Sequence, residues 1–142
     1  MSAPNARSLS PIEYRKGPIA DQDLEQAFAV YRESGLGERR PIGDRERFEA
    51  ILRNANLVLT AWDGEEMVGI ARSITDWAYV AYLSDLAVKR SHQKQGIGKE
   101  LIRLTRAALH PKAMLLLLAA PAAVEYYPHL GFKHHPQAWF QD

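Results

Sequence analysis

Apolar residues recur along this chain in two rhythms, and the changes of rhythm mark where its elements begin and end. Ile12-Glu13-Tyr14-Arg15 alternates apolar with polar, a short first strand. Leu24, Phe28 and Tyr31 follow at spacings of four and three, which predicts a helix capped by Asp21 and ended by Gly35 and Gly37. A loop from Gly37 to Asp44 leads to a second helix, capped by Asp44 and carried by Phe48, Ile51 and Leu52. Leu57 to Trp62 and Met67 to Ile74 read as strands about an Asp63-Gly64 hairpin turn, and a further strand runs from about Tyr79 to Val88. With the first strand they predict an antiparallel meander.

The second half is organised differently. After Val88 a polar loop closes on Gly96-Ile97-Gly98, and an amphipathic helix then places Leu101, Leu104, Ala108 and Leu109 on one face as far as about His110, where Pro111 stops it. Met114 to Leu118 has no alternation, which predicts a strand buried on both faces. Strand, helix and buried strand imply a right-handed βαβ crossover. A short helix is expected from Ala122 to His129, ended by Gly131, and Phe132 to Phe140 should close the sheet with one or two last strands. Residues 1–10 read as a polar tail and 11–142 as one α/β domain with a mixed, mostly antiparallel sheet.

Composition narrows the function classes. A chain of 142 residues suits one full-sized core, and a net charge of +1 calls for neither nucleic acid nor an anionic membrane as partner. There is no cysteine, so disulfides, thiolate metal sites and a cysteine nucleophile are excluded. Met1 to Pro11 lacks the apolar stretch of a signal peptide, and the run from Ala113 to Val124 is short and broken by Pro121. The expectation is a cytoplasmic, soluble protein. Arg32, Arg39, Arg40, Arg45, Arg47 and Arg53 crowd the first two helices, among acids such as Glu33, Asp44, Glu46 and Glu49. A solvated helical face accounts for them; a basic interaction surface is the competing reading.

The chemistry concentrates between Leu83 and Leu101. Two glycines at a loop-to-helix junction let a ligand approach the backbone, and a helix's first turn offers unpartnered amides and partial positive charge. With Lys94 and Lys99 beside it, this is an anion site suited to a diphosphate. A nucleotide P-loop is excluded because Gln93 stands where its first Gly belongs and Glu100 follows Lys99; the dinucleotide fingerprint fails at Leu101. A glycine-rich turn with no ligand is the bland alternative.

Gln93-Lys94-Gln95-Gly96-Ile97-Gly98, after a strand ending Leu86-Ala87-Val88, resembles the acyl-CoA signature of the GNAT superfamily of N-acetyltransferases, Gln/Arg-x-x-Gly-x-Gly/Ala. A second GNAT pattern, Asn-x-x-Ala-x-x-Phe-Tyr-x-x-x-Gly-Phe, is matched by Ala123, Tyr126, Tyr127 and Gly131-Phe132, with Ala120 in place of the Asn. The resemblance covers Ile12 to Phe132 and is specific in these two motifs. It implies acetyl-CoA as acyl donor, a primary amine on a small molecule or peptide as acceptor, no metal, and allows a homodimer. It also implies that the backbone of Leu86, Ala87 and Val88 pairs with the pantetheine arm, with the Val88 amide serving the thioester carbonyl. Gln93, Lys94, Gln95, Gly96, Ile97, Gly98 and Lys99 would hold the pyrophosphate, and the Tyr127 hydroxyl would face the CoA sulfur.

An alkyl amine is almost wholly protonated at neutral pH, so transfer needs a base or desolvation of the amine. Asp85, a carboxylate within an apolar strand, is the candidate base or amine anchor; its alternatives are a solvent-facing position or a pair with a nearby Arg. Water bound at Ser84 could serve instead. His129, His134 and His135 lie late in the chain, and adjacent His134 and His135 face opposite ways on a strand, a poor metal pair. Trp77, Tyr79, Tyr82 and Trp139 are candidates for acceptor-pocket walls or plain core. A different class of function remains open, since a catalytically silent acyl-CoA sensor or scaffold would share the cofactor motif.

Overall fold

The computed structural model describes residues 11–142. The polar tail expected over 1–10 lies outside the described residues. Five strands form one sheet in chain order: β1 (Glu13–Lys16), β2 (Leu57–Asp63), β3 (Glu66–Thr75), β4 (Val80–Val88) and β5 (Met114–Leu116). β1 to β4 are antiparallel to their neighbours, and β5 joins β4 in parallel through α3 (Ile97–Ala107), so both the meander and the βαβ crossover are present.

β2 alternates between two cores. Val58 and Trp62 face α1 (Leu24–Ser34) and α2 (Arg45–Asn54), packing with Val30, Tyr31, Phe48 and Leu52, while Leu57, Leu59 and Ala61 face α3 and meet Ile97 and Leu101. Both faces are covered, which is why β2, apart from Thr60, and the middle of β3 read as near-continuous apolar runs. At roughly 1.5–3 kcal/mol for each fully buried large aliphatic or aromatic side chain, these two layers carry the fold. α2 begins where the sequence requires, with the Asp44 carboxylate accepting from Arg47 N at 3.1 Å.

Three expectations are corrected. β5 is only Met114–Leu116 and is not buried on both faces: it is the last strand of the sheet, and Met114 is 48% exposed. The helix expected over Ala122–His129 is instead two short 3-10 turns, Pro121–Ala123 and Tyr127–Leu130; Pro128 lacks the backbone donor that one continuous helix would need there. Residues 132–140 form no strand; Trp139 and Phe140 stand 94% and 79% exposed.

Candidate active site

A bulge in β4 shapes the site. Arg72 of β3 lies opposite Asp85, but the next residue, Ser73, lies opposite Leu83, so Ser84 is an extra residue on β4. One extra residue inverts the pleat. Before the bulge Ala81 and Leu83 pack toward α3; after it Asp85 and Ala87 turn toward α1, and Leu86 and Val88 take the α3 side. The sequence alone would have placed Asp85 on the face of Leu83.

Beside the bulge the sheet opens. β5 pairs with β4 only from Val80 to Tyr82, leaving Leu83 to Val88 with no strand on that side among the described residues. The Lys89 amide donates to Val68 O at 2.9 Å, which fixes the alternation: the backbone groups of Ala87 serve β3, and those of Leu86 and Val88 point into the opening. Of the three residues expected to meet a pantetheine arm, Leu86 and Val88 therefore offer their peptide groups and Ala87 does not. Val88 O is also tied down, accepting from Gln93 Nε2 at 2.8 Å. Gln93 thus braces the loop through one of its side-chain hydrogen bonds.

The loop arrives at α3 through two left-handed residues, Lys94 (φ 64°) and Gly96 (φ 86°). Gly96 caps α3 and its carbonyl accepts from Glu100 N at 3.0 Å, which leaves the amides of Ile97, Gly98 and Lys99 without helical acceptors. Buried His92 holds the same loop from below, its Nε2 hydrogen-bonded to Asp63 Oδ2 at 2.9 Å at the end of β2. The two glycines act for different reasons. A Cβ on Gly96 would meet nothing within 4 Å, but its left-handed backbone suits glycine. Gly98 is tight for space: a Cβ there would stand 3.2 Å from the Tyr126 hydroxyl and 3.9 Å from Leu86 and Val88. We expect Gly98→Val to abolish acetyl-CoA binding in equilibrium dialysis while circular dichroism stays native; unchanged binding would remove this turn from the site.

An open cavity of about 1240 Å³ runs from Gly96 and Lys99 along α3 to β5 and the turn carrying Tyr127. Lys99 makes no ion pair among the described residues, whereas Arg103 on the same wall is paired with Glu100. Tyr127 is half-buried, its ring edge-on to Tyr126 (5.2 Å) and Phe132 (5.5 Å). Desolvation, then the neighbouring Tyr126, raises its pKa, so it stays protonated at neutral pH.

Asp85, 1% exposed, is the centre of a network. Oδ2 accepts from the Tyr31 hydroxyl and Arg72 Nε, each at 2.5 Å, and Oδ1 accepts from Arg40 Nε at 2.5 Å. The guanidinium groups also grip the bulge: Arg40 Nη2 donates to Ser84 O at 2.7 Å and Arg72 Nη2 to Ser84 Oγ at 2.8 Å. Burial alone would raise the Asp85 pKa, but hydrogen bonds and charge from Arg72, with Tyr31 and Arg40, outweigh it and hold the carboxyl below its usual range. Both oxygens are engaged, so the arginine-paired alternative describes what is seen. Tyr31, Arg40 and Arg72 were not among the residues singled out from the sequence. Arg72 carried a signal, an Arg inside an apolar strand across a hairpin from an equally isolated Asp. Arg40 carried none among its five arginine neighbours, and the solvated-face reading holds for Arg45 and Arg53, paired with Glu49 and Asp21, but not for it.

Trp77 and Tyr79 lie in the β3–β4 connection beside His110 and Met114, at the far end of β4 from Val88, roughly 26 Å away at about 3.3 Å per residue. They do not share the opening with Gly98. His134 and His135 line the cavity as exposed residues.

Known proteins share this chain's family and its fold. Residues 22–132 match the family model described as the acetyltransferase (GNAT) family, and the chain belongs to that family. It is 32% identical over 112 residues to "Histone acetyltransferase TAP1" of Glycine max, a match covering 70% of this chain and 47% of that protein. The chain thus spans about half the length of the curated relatives it matches. Among solved structures, a GNAT-family acetyltransferase from Streptococcus pneumoniae TIGR4 superposes with a TM-score of 0.71 at 23% identity, covering 92% of this chain and 98% of that one. The aminoglycoside N-acetyltransferase AAC(6')-Iy, solved in complex with CoA, gives 0.70 at 18% identity over 94% and 95% of the two chains. At these identities the structures speak to the fold.

Proposed function

We propose that this chain transfers an acetyl group from acetyl-CoA to a primary amine by direct attack. The observation that carries the reading is the opening beside β4, where the peptide groups of Leu86 and the amide of Val88 lead directly to the amides of Ile97 to Lys99, which have no acceptor among the described residues. A diphosphate on those amides and an amide-bearing arm along β4 satisfy both sets of donors at once. Val88 adjoins the diphosphate turn, so the arm runs back toward Ser84 and the thioester falls at the bulge. The Leu86 amide, rather than that of Val88, is then the donor for the thioester carbonyl as negative charge develops on its oxygen.

Asp85 acts as a positioning residue, not as the base. A carboxylate held below its usual pKa by two guanidinium groups accepts a proton poorly. Two guanidinium charges against one carboxylate leave a net positive cluster behind the bulge. Positive charge beside an incoming amine depresses its pKa, so the amine attacks in its neutral form and its proton passes to water. The same charge favours the developing oxyanion. Tyr127, protonated and lining the cavity, donates to the departing thiolate.

The names of the relatives point to amines of different settings, histone and aminoglycoside, and a primary amine is what these acceptors share. Incubation with acetyl-CoA and a panel of lysine peptides, polyamines and aminoglycosides, read by mass spectrometry, should yield a singly N-acetylated product. Tight acetyl-CoA binding without transfer to any amine would make the chain a cofactor-binding module instead.

A further inference from the structure

We propose that Tyr126 contacts the cofactor, its hydroxyl donating a hydrogen bond to the diphosphate of bound acyl-CoA at the first turn of α3. The adjacent tyrosines then divide the work, Tyr126 holding the cofactor and Tyr127 assisting its departure; this rests on the acetyl-CoA reading above. Sequence alone assigned Tyr126 no task, since the resembled pattern has Phe at that position, and a Phe would fill the same apolar space.

The added hydroxyl is what the geometry singles out. It stands against the bare Cα of Gly98, 3.2 Å from where a Cβ would be, with side-chain methyls of Leu86 and Val88 3.9 Å from the same point. It therefore lies where the helical amides meet the open edge of β4, the junction at which a diphosphate gives way to a pantetheine arm. No described residue hydrogen-bonds to it; the ring is edge-packed on Tyr127 and is 40% exposed. A phenol without a described protein partner, beside the first turn of a helix, suits an anion's oxygen. Burial raises its pKa, so it remains a donor across the neutral range. The Cβ-free surface of Gly98 thus admits a donor as well as a ligand, which makes Gly98 and Tyr126 one unit.

The test is Tyr126→Phe beside Tyr127→Phe, each titrated with CoA and acetyl-CoA by calorimetry and then assayed for turnover. Removing one charge-assisted hydrogen bond should raise the Kd and KM of Tyr126→Phe about tenfold or more, with a smaller fall in kcat. Tyr127→Phe should do the reverse. The Phe ring keeps the packing, and circular dichroism checks it. Equal affinity in Tyr126→Phe would overturn the proposal. Tighter binding would also overturn it, because the hydroxyl would then be an obstacle. A fall in kcat at unchanged Kd would overturn it too, assigning the thiolate's proton to Tyr126. Failure of the wild-type chain to bind CoA at all would instead sink the acetyl-CoA reading on which the inference stands.

Discussion

Asp85→Asn should melt about 10 °C or more below the wild-type protein. Removing one partner of a buried ion pair typically costs about 3–5 kcal/mol, because the remaining charge stays buried without compensation. For a domain of this size each kcal/mol moves the midpoint by roughly 3–4 °C. Here the loss leaves two guanidinium groups facing each other across a neutral amide, with Arg72 and Ser84 Oγ still joined but nothing between Arg72 and Arg40. Arg40→Gln in the Asp85→Asn background should recover part of the loss by removing one of those charges. The pH dependence has a definite sign. Asp85 has a depressed folded pKa, so its stabilisation is fully present above the unfolded value near 3.9 and is lost as pH falls through the folded one. Thermal melts should therefore lose the Asp85 contribution between about pH 4 and lower values in wild type and not in the Asn variant. A variant that melts like wild type but has lost turnover would return Asp85 to the role of base.

Tyr127→Phe should lower kcat by about tenfold to a thousandfold, the range for loss of a general acid. The substitution keeps the ring in its edge contacts with Tyr126 and Phe132 and deletes only the hydroxyl, so stability should change little. Because the hydroxyl answers charge that develops as the thiolate departs, kcat should fall more than KM for acetyl-CoA rises. The raised pKa of the half-buried phenol places its deprotonation on the far alkaline side, so the high-pH limb of the wild-type profile should flatten or shift in the variant. Wild-type kcat in the Phe variant would mean that the thiolate leaves unassisted.

Much of this architecture was legible because it is written in spacing. The four-and-three rhythm of Leu24, Phe28 and Tyr31, the Asp63-Gly64 turn and the strand–glycine–helix sequence around Val88 to Leu101 each describe a local geometry, and the local geometry is what formed. What failed was non-local. Met114 to Leu118 is apolar without alternation, but periodicity does not say what covers a strand; β5 ends the sheet, and Leu118 beyond it is 56% exposed. The bulge at Ser84 is a matter of pairing between β3 and β4, so the face of Asp85 could not be read from β4 alone. Arg40 reaches Asp85 across 45 positions, from a segment with no periodic signal. The turn before α3 was the opposite case: its glycines and lysines all fall between Lys94 and Lys99, so sequence placed them together. Even there the reason for Gly98 changed, because the atom nearest to its missing Cβ belongs to Tyr126.

The central claim is that the edge of β4 and the first turn of α3 together hold an acyl-CoA, and calorimetric titration of acetyl-CoA into the wild-type chain tests it most directly. Saturable binding of one acetyl-CoA per chain is expected, weakened by added salt because a diphosphate is being held, and absent in Gly98→Val. Binding that fails to saturate at millimolar acetyl-CoA, or that survives Gly98→Val unchanged, would contradict it.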